Sequence, residues 1–187
     1  MERQLLVPQL FALVLFASPA SATTMVASSL EQLVANSESV VHANTVATRT
    51  EWDAYRRIRT IATVRVLEAW QGPAAVAAEL EVVSFGGVKD GIAMKVPGAP
   101  RFDGGEEVVL FLGRASDGSL VVVDLAQGKF EVVRTGSGVR LERRGLAEVE
   151  WVGGAAEAAP SLEILRERVA ETALRLQRGG GLRGGAR

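Results

Sequence analysis

The stretch from Phe102 to Val133 constrains the fold of this chain more than any other. It contains three apolar runs rich in β-branched and aromatic residues, which are Val108–Leu112, Leu120–Val123 and Gln127–Val133. Glycine-containing turns such as Ser116-Asp117-Gly118 separate the runs. Short apolar runs between such turns are typical of neighbouring β-strands. The stretch therefore predicts a consecutive antiparallel meander.

The first 22 residues have the pattern of a secretory signal peptide. A short polar start precedes the apolar run Leu5–Ala17, and the segment ends in small residues up to Ala22. This order is typical of a cleaved export signal, and the run is short for a bilayer span. We expect cleavage after Ala22, with Thr23 as the mature N-terminus and a soluble domain in the periplasm or the medium. A retained membrane anchor is the alternative.

The composition excludes several kinds of site. The chain has no cysteine, so it cannot form disulfides, thiolate metal sites or a cysteine nucleophile. Its single histidine, His42, cannot build a histidine metal cluster, and we expect it to be structural. The net charge of -1 gives no basic excess that would attract nucleic acid. We therefore expect no cofactor, no metal, no nucleic acid and, after signal cleavage, no membrane partner.

The residues before the meander predict one helix and several strands. Ser28 and Glu31 have the spacing of a capping box, which predicts a short helix over residues 29–37. Strands are predicted over residues 40–50, 58–70 and 80–85. Gly86-Gly87 is expected to break or bulge the last of them, and residues 92–96 are expected to pair again after a turn over residues 88–91. The second of these strands is long, with Ile58, Ala62 and Val64 on one face.

The residues after the meander predict an edge strand, a linker and a second helix. Val139–Glu142 is the predicted edge strand, and Arg143 and Arg144 are expected to protect its edge with charge. We assign residues 23–145 to the β-domain, 146–160 to a linker, 161–178 to an amphipathic helix and 179–187 to a disordered tail. The helix begins at Ser161, and its apolar face is formed by Leu162, Leu165, Val169, Ala173 and Leu176.

These elements predict a mainly β fold, a small antiparallel barrel with a short N-terminal helix and a C-terminal helix. Phe102, Phe111 and Phe130 are expected to anchor its core, which is a more common role for such residues than an aromatic ligand box.

The chain resembles a family of bacterial exported proteins. The resemblance rests on Gly86-Gly87, on Val96-Pro97-Gly98-Ala99-Pro100 followed by Phe102, on Gly105–Leu112 and on Gln127-Gly128-Lys129-Phe130. The order of elements also looks like the netrin-like, metalloprotease-inhibitor form of the oligonucleotide/oligosaccharide-binding (OB) barrel. That resemblance implies an OB-like barrel and an exported protease or surface component as partner. Such inhibitors chelate the protease zinc through an N-terminal cysteine, which this chain lacks.

One loop of the chain combines aromatic and basic side chains. Its members are Trp52, Tyr55, Arg56, Arg57 and Arg59. In a small barrel the loop after the first strand commonly lines the ligand face, where stacking and charge can hold a sugar, an anionic polymer or a peptide. We take these residues as the candidate ligand-facing loop; the alternative is that they only cover the end of the barrel.

Glu106 and Glu107, beside Asp103, form the one acidic cluster that we consider as a candidate catalytic or cation-binding site. Paired carboxylates can transfer protons or bind a hard cation, but at a glycine turn we expect them to be solvated. No nucleophile–base pair is evident, so we assign no catalytic residue. The sequence thus predicts a non-catalytic exported binding domain. The alternatives are an inhibitor or escort of an exported protease and, less favoured, a hydrolase that uses Glu106 and Glu107.

Overall fold

A computed structural model describes residues 23–136, 138–154 and 160–181 of the 187. The fold is mainly β, with a seven-stranded sheet, two short two-stranded sheets and two α-helices over the described ranges. The elements in chain order are β1 Thr23–Val26, α1 Leu30–Asn36, β2 Ser39–Trp52, β3 Ile58–Gln71, β4 Glu79–Phe85, β5 Gly87–Lys89, β6 Ile92–Met94, β7 Glu107–Arg114, β8 Leu120–Val122, a 3₁₀ turn Leu125–Gly128, β9 Lys129–Thr135, β10 Gly138–Glu142, β11 Val149–Val152 and α2 Leu162–Gly181.

The large sheet has the strand order β10-β9-β7-β2-β3-β4-β8. All its pairings are antiparallel except β4 with β8, and β8 also pairs with the end of β7. Strand β8 thus bridges the β4 side of the sheet to β7, while β9 and β10 continue outward as an open edge. The predicted barrel is not closed: β8 meets β4 over only two residue pairs, and β9 and β10 extend the sheet past β7 to an edge.

The predicted consecutive meander is only partly correct. Strands β7 and β8 form the expected hairpin, but β9 pairs with the first half of β7 and not with β8. The chain is redirected at Asp124 and Leu125, whose φ angles of 51° and 58° lie in the left-handed region, and then by the 3₁₀ turn. Two consecutive non-glycine residues in this conformation are not visible in a pattern of apolar runs.

The sheet carries a core on each face. The first lies under the helices and includes the expected anchors Phe111 and Phe130, whose ring centroids are 5.9 Å apart. The second, on the concave side bridged by β8, includes Phe102 together with aliphatic residues of β2, β3 and β7. Alternation along the strands distributes neighbours such as Val40 and Val41 between the two cores, since successive side chains point to opposite faces.

Both predicted helices are present, with corrected details. The capping box of α1 is formed by Ser29 and Gln32, one residue later than predicted, because Ser28 instead donates to Asp124. Helix α2 begins after Ser161, whose hydroxyl accepts from the N–H of Ile164. It extends past residue 178 to Gly181, within the predicted disordered tail.

The apolar face of α2 differs from the predicted face at its C-terminal end. Leu165 and Val169 are buried as expected, but Thr172 is buried whereas Leu176 is 44% exposed. The core under the helix therefore ends about one turn earlier than the apolar pattern suggests.

The edge-strand prediction holds, but its two arginines do not protect the edge. β10 is the outer strand, and the guanidinium of Arg143 lies 4.2 Å from the centre of the Phe130 ring. Arg144 pairs with Glu131 at 2.7 Å. Both side chains thus pack back against the domain, because aromatic and carboxylate partners lie there.

The segment assigned to a linker contains a strand. β11 pairs in parallel with β1, so that Thr23 lies opposite Val149. The four residues Val-Glu-Trp-Val of β11, beside a Gly/Ala-rich stretch, gave no sign of this distant partner. Residues 155–159 of that linker, the predicted signal peptide 1–22 and the tail beyond residue 181 lie outside the described residues. Within the described part, no helix has the length and hydropathy needed to span a membrane.

Candidate functional site

The predicted ligand-facing loop is the tip of the β2–β3 hairpin, and its members have different environments. The guanidinium of Arg57 lies 5.1 Å from the ring centre of Tyr55 and 4.8 Å from that of Phe85 at the end of β4. Tyr55 is 79% exposed and Phe85 is 41% exposed. The tip therefore presents a stacked arginine between two accessible aromatic rings, and Phe85 was not anticipated as part of it.

The other predicted members have structural partners or none. The indole N–H of Trp52 donates to Asp90 Oδ2 at 2.8 Å, and Arg59 pairs with Glu51 at 2.5 Å. Arg56 is exposed and holds a left-handed φ of 58°. The structure thus brings Tyr55 and Arg57 together. Trp52 and Arg59 instead make contacts that hold the hairpins in place.

Asp53 fixes the shape of this tip. Its Oδ1 accepts the backbone N–H groups of Tyr55 and Arg57, and its Oδ2 accepts from the Arg57 guanidinium at 2.8 Å. Desolvation works against the charged form, but the hydrogen bonds from Arg57 and Tyr55 outweigh it and hold the pKa of Asp53 below its usual value. Asp53 thereby orients Arg57 over the rings.

A groove opens beside this tip, between the β5–β6 hairpin and the loop of residues 95–103. Its main cavity has a volume of about 380 Å³, within the range of about 300–1,000 Å³ that small-ligand sites occupy. Phe85 and Phe102 belong to its apolar lining, and Lys95, Arg101 and Asp103 supply its charged groups. A second cavity of about 130 Å³ shares four lining residues with it. We call the two together the hairpin groove; the shared residues are Lys95, Val96, Ala99 and Arg101.

Side-chain hydrogen bonds hold both walls of the hairpin groove. Thr50 Oγ1 donates to the carbonyl of Val88 at 2.8 Å, and Trp52 donates to Asp90, which together fix the hairpin wall. Ser84 Oγ donates to the carbonyl of Pro100 at 2.6 Å and fixes the opposite loop. The groove is thus pre-formed, because its walls are tied to the large sheet.

Gly86 and Gly87 make the sharp entry into β5 possible. Their φ angles are 102° and 131°, in a region that L side chains rarely adopt. A Cβ atom on Gly87 would lie 2.7 Å from Thr60 Oγ1, and one on Gly86 would lie 2.9 Å from the Met94 carbonyl oxygen. The prediction of a strand break at this pair is confirmed. No pattern in the sequence predicted the cavity beside it.

The two carboxylates of the predicted acidic cluster do not face a common space. Glu106 Oε2 lies 3.0 Å from Lys129 Nζ on the concave side of the sheet. Glu107 Oε1 lies 2.7 Å from His42 Nε2 on the helix side. Both side chains are largely buried, at 12% and 18% exposure, so the expectation of a solvated turn is wrong. Successive residues entering a strand point to opposite faces, which separates the pair.

Lys129 is the centre of a buried charge cluster. Its amine lies 3.0 Å from Glu106 and 3.0 Å from Glu131 Oε1, and its own side chain is 4% exposed. It also lies 5.2 Å from the ring centre of Phe102. Burial raises the pKa of Glu106 despite the opposing effect of Lys129. Neither the sequence pattern nor the turn chemistry identified Lys129 as an interior residue.

His42 lies between two carboxylates beneath α2. Its Nε2 meets Glu107, whereas its Nδ1 is 3.5 Å from Glu68 Oε1 and is buried with no hydrogen-bond partner among the described residues. Glu68 in turn pairs with Arg166 of α2 at 2.9 Å. This row can link the sheet to the helix, which agrees with the structural role predicted for His42. His42 does not line the hairpin groove.

The variant Glu107→Gln is expected to make the free energy of unfolding less dependent on pH in the acid range. The hydrogen bond from Arg134 is the main reason that the pKa of Glu107 is lowered, desolvation opposes it, and His42 adds to the lowering. A carboxyl with a lowered pKa stabilises the fold above its unfolded pKa and loses that contribution as the pH falls through its folded pKa. We expect a loss of about 1 kcal/mol at neutral pH that disappears in acid. Urea unfolding at a series of pH values, with the exposed Glu150→Gln as control, measures this; parallel curves for wild type and Glu107→Gln would contradict it.

No known protein identifies this site. Over the described ranges, no group of three or more histidine, aspartate or glutamate side chains could hold a metal ion. The chain matches no family model, no curated protein and no solved structure.

Proposed function

We propose that this chain is an exported, non-catalytic binding domain whose ligand occupies the hairpin groove. The observation that carries the proposal is the pre-formed groove itself, with an apolar lining, charged groups at its rim and the exposed Tyr55–Arg57–Phe85 stack beside it. A concave site of this composition is what small-ligand and peptide binding requires. Export follows from the signal-like residues 1–22.

The carboxylate geometry supports binding over hydrolysis. A hydrolase that used Glu106 and Glu107 together would need both on one substrate, but they lie on opposite faces of the sheet with separate partners. The candidate groups for proton transfer are therefore engaged with Lys129, His42 and Arg134. A hydrolase remains the third and least supported candidate.

We relate the fold to the OB-like, netrin-like barrel. The support is the order of a short helix, two long strands joined by a hairpin, a third antiparallel strand and the later strands β7 and β8. The bridging of β4 and β7 by β8 is consistent with an incompletely closed form of that architecture. In such folds the exposed loops at one end commonly hold the ligand.

An inhibitor or escort of an exported protease is the second candidate. The netrin-like order of elements is its only support. Inhibitors of that type chelate the protease zinc through an N-terminal cysteine, whereas this chain has no cysteine and Thr23, the predicted mature start, pairs with Val149 in a strand. If this chain acts on a protease, the hairpin groove is a better contact surface than the N-terminus.

Filling the groove tests the proposal. Ala93 of β6 lines the main cavity, and Ala93→Trp is expected to abolish binding to those members of a glycan and peptide array that retain the wild type. Ala170→Trp, at an exposed position of α2, is the matched control and should bind as the wild type does. Both variants must keep the wild-type circular dichroism spectrum. Equal retention of wild type and Ala93→Trp on every array member, or no retained member at all, would reject the groove as the binding site.

A further inference from the structure

The distribution of ion pairs is uneven over the described surface. Most arginine and lysine side chains are held by carboxylates, as Arg49 is by Glu81 and Arg65 is by Glu79. Within residues 23–136, 138–154 and 160–181, four cations have neither a hydrogen bond nor an ion pair through their side chains. They are Arg56, Lys89, Arg101 and Arg178.

One of these four cations, Arg101, lines the hairpin groove, and two others, Lys89 and Arg56, lie on the adjoining β5–β6 and β2–β3 hairpins. Arg101 lines both cavities and stands where they join. Lys89 ends β5 on the hairpin wall, and Arg56 lies at the neighbouring β2–β3 tip. Of the carboxylates nearby, Asp53 holds Arg57, Asp90 accepts from Trp52, Glu148 pairs with Lys95, and Asp103 lies 3.6 Å from Arg144. Arg101 interacts electrostatically with Glu148 but has no hydrogen bond or ion pair among the described residues, so its N–H groups can donate to a ligand in the groove.

The shape of the groove favours an extended ligand over a compact one. The two cavities share a wall, so a bound chain can run from the Phe85 side past Arg101 toward Gly145 and Glu148. Apolar residues such as Met94 and Phe102 line the larger cavity and suit an apolar side chain. A polypeptide in extended form alternates such a side chain with groups that point outward to the rim.

The hydrogen bonds of the lining disfavour a sugar. Thr60 and Ser84 are the hydroxyl residues that line the groove, and both already donate their hydrogens, to the carbonyls of Gly86 and Pro100. A saccharide needs many polar partners in its site, whereas an apolar side chain needs none. Carboxylates, in contrast, are the natural partners of an unpaired guanidinium, because its two N–H groups match the two carboxylate oxygens.

We infer that the hairpin groove binds an extended, acidic segment of a partner polypeptide, with an apolar side chain in the larger cavity and a carboxylate on Arg101. This inference rests on the proposed binding function and adds the chemistry of the ligand. The Tyr55–Arg57–Phe85 stack extends the surface at the Phe85 end.

The test uses the full chain and a fluorescein-labelled peptide that carries one central phenylalanine among glutamates and glycines. Fluorescence anisotropy should detect binding of this peptide, and affinity should fall with salt because the charge contacts are exposed. Peptides with glutamine or lysine in place of glutamate should bind at least about tenfold more weakly. The variant Arg101→Glu should lower the affinity for the acidic peptide by about tenfold or more.

The control is Arg178→Glu, which makes the same charge change at the unpaired cation on α2, away from the groove. It should leave the affinity unchanged, which separates a local contact from a general effect of net charge. Equal binding of the acidic and glutamine peptides, or equal losses from Arg101→Glu and Arg178→Glu, would overturn the inference. So would an oligothymidylate that binds as tightly as the acidic peptide.

The outcomes separate this inference from the proposed function. If a neutral saccharide or a basic peptide binds and Ala93→Trp blocks it, the groove is a binding site but its ligand is not an acidic polypeptide. If Ala93→Trp blocks nothing, both proposals fail.

Discussion

Lys129→Met is expected to lower the free energy of unfolding by about 3–5 kcal/mol, because it leaves the buried carboxylate of Glu106 without a cation and Glu131 with Arg144 alone. Glu106 and Glu131 both lie 3.0 Å from the amine, and Glu131 is only 6% exposed. Methionine fills much of the lysine volume, so the loss reports charge and not a cavity. Equilibrium urea unfolding followed by circular dichroism measures it.

The double variant Lys129→Met/Glu106→Gln is the control for this prediction. It removes one cation and one carboxylate and leaves Glu131 paired with Arg144 at 2.7 Å. It should recover at least half of the stability lost by Lys129→Met. If Lys129→Met costs less than about 1 kcal/mol, the cluster behaves as a solvent-exposed pair and its buried description is wrong.

Phe111→Ala is expected to cost about 3–5 kcal/mol through a cavity between the sheet and the helices. The side chain of Phe111 is fully buried and lies beside Phe130 in the core that also contains Leu33 and Leu165. The surrounding strands and helices can relax only in part, so the lost contacts are not regained. Thermal and urea unfolding of the purified protein give the change in stability.

Phe85→Ala is the matched control, since it makes the same substitution at a ring that is 41% exposed. It should change stability by at most about 1 kcal/mol, as surface substitutions do. Because Phe85 lines the hairpin groove, Phe85→Ala should also lower the affinity for any ligand whose binding Ala93→Trp blocks. A cost for Phe85→Ala equal to that of Phe111→Ala would contradict the assignment of Phe111 to the core.

Local patterns in the sequence located the secondary structure well. The long strand predicted over residues 58–70 is β3, Ile58–Gln71, because an alternating apolar face specifies a half-buried strand. The glycine pair at 86–87 and the cap at Ser161 were also found, since each depends on one residue's own conformational or hydrogen-bonding chemistry. The loop that contains Tyr55 and Arg57 was expected between two strands and is the tip of the β2–β3 hairpin, but Phe85 and the groove beside it were not found.

Short strands and buried charges were beyond the reach of such patterns. β1 and β11 exist because two short segments far apart in the chain pair with each other, and neither has a strand signal of its own. Glu106 and Lys129 look like ordinary surface residues in the sequence, because burial of a charge depends on a partner supplied by another strand.

The sequence by itself determined that this chain is mainly β, where its long strands and two helices lie, and that cysteine chemistry is unavailable to it. These properties follow from side-chain periodicity, capping and composition, which act over a few residues. Only the tertiary structure decided that β8 bridges β4 and β7, that Glu106 and Glu107 face opposite sides, and that a groove opens beside the β5–β6 hairpin. Those features depend on strand register and on contacts between distant segments, where many pairings are compatible with the same local pattern.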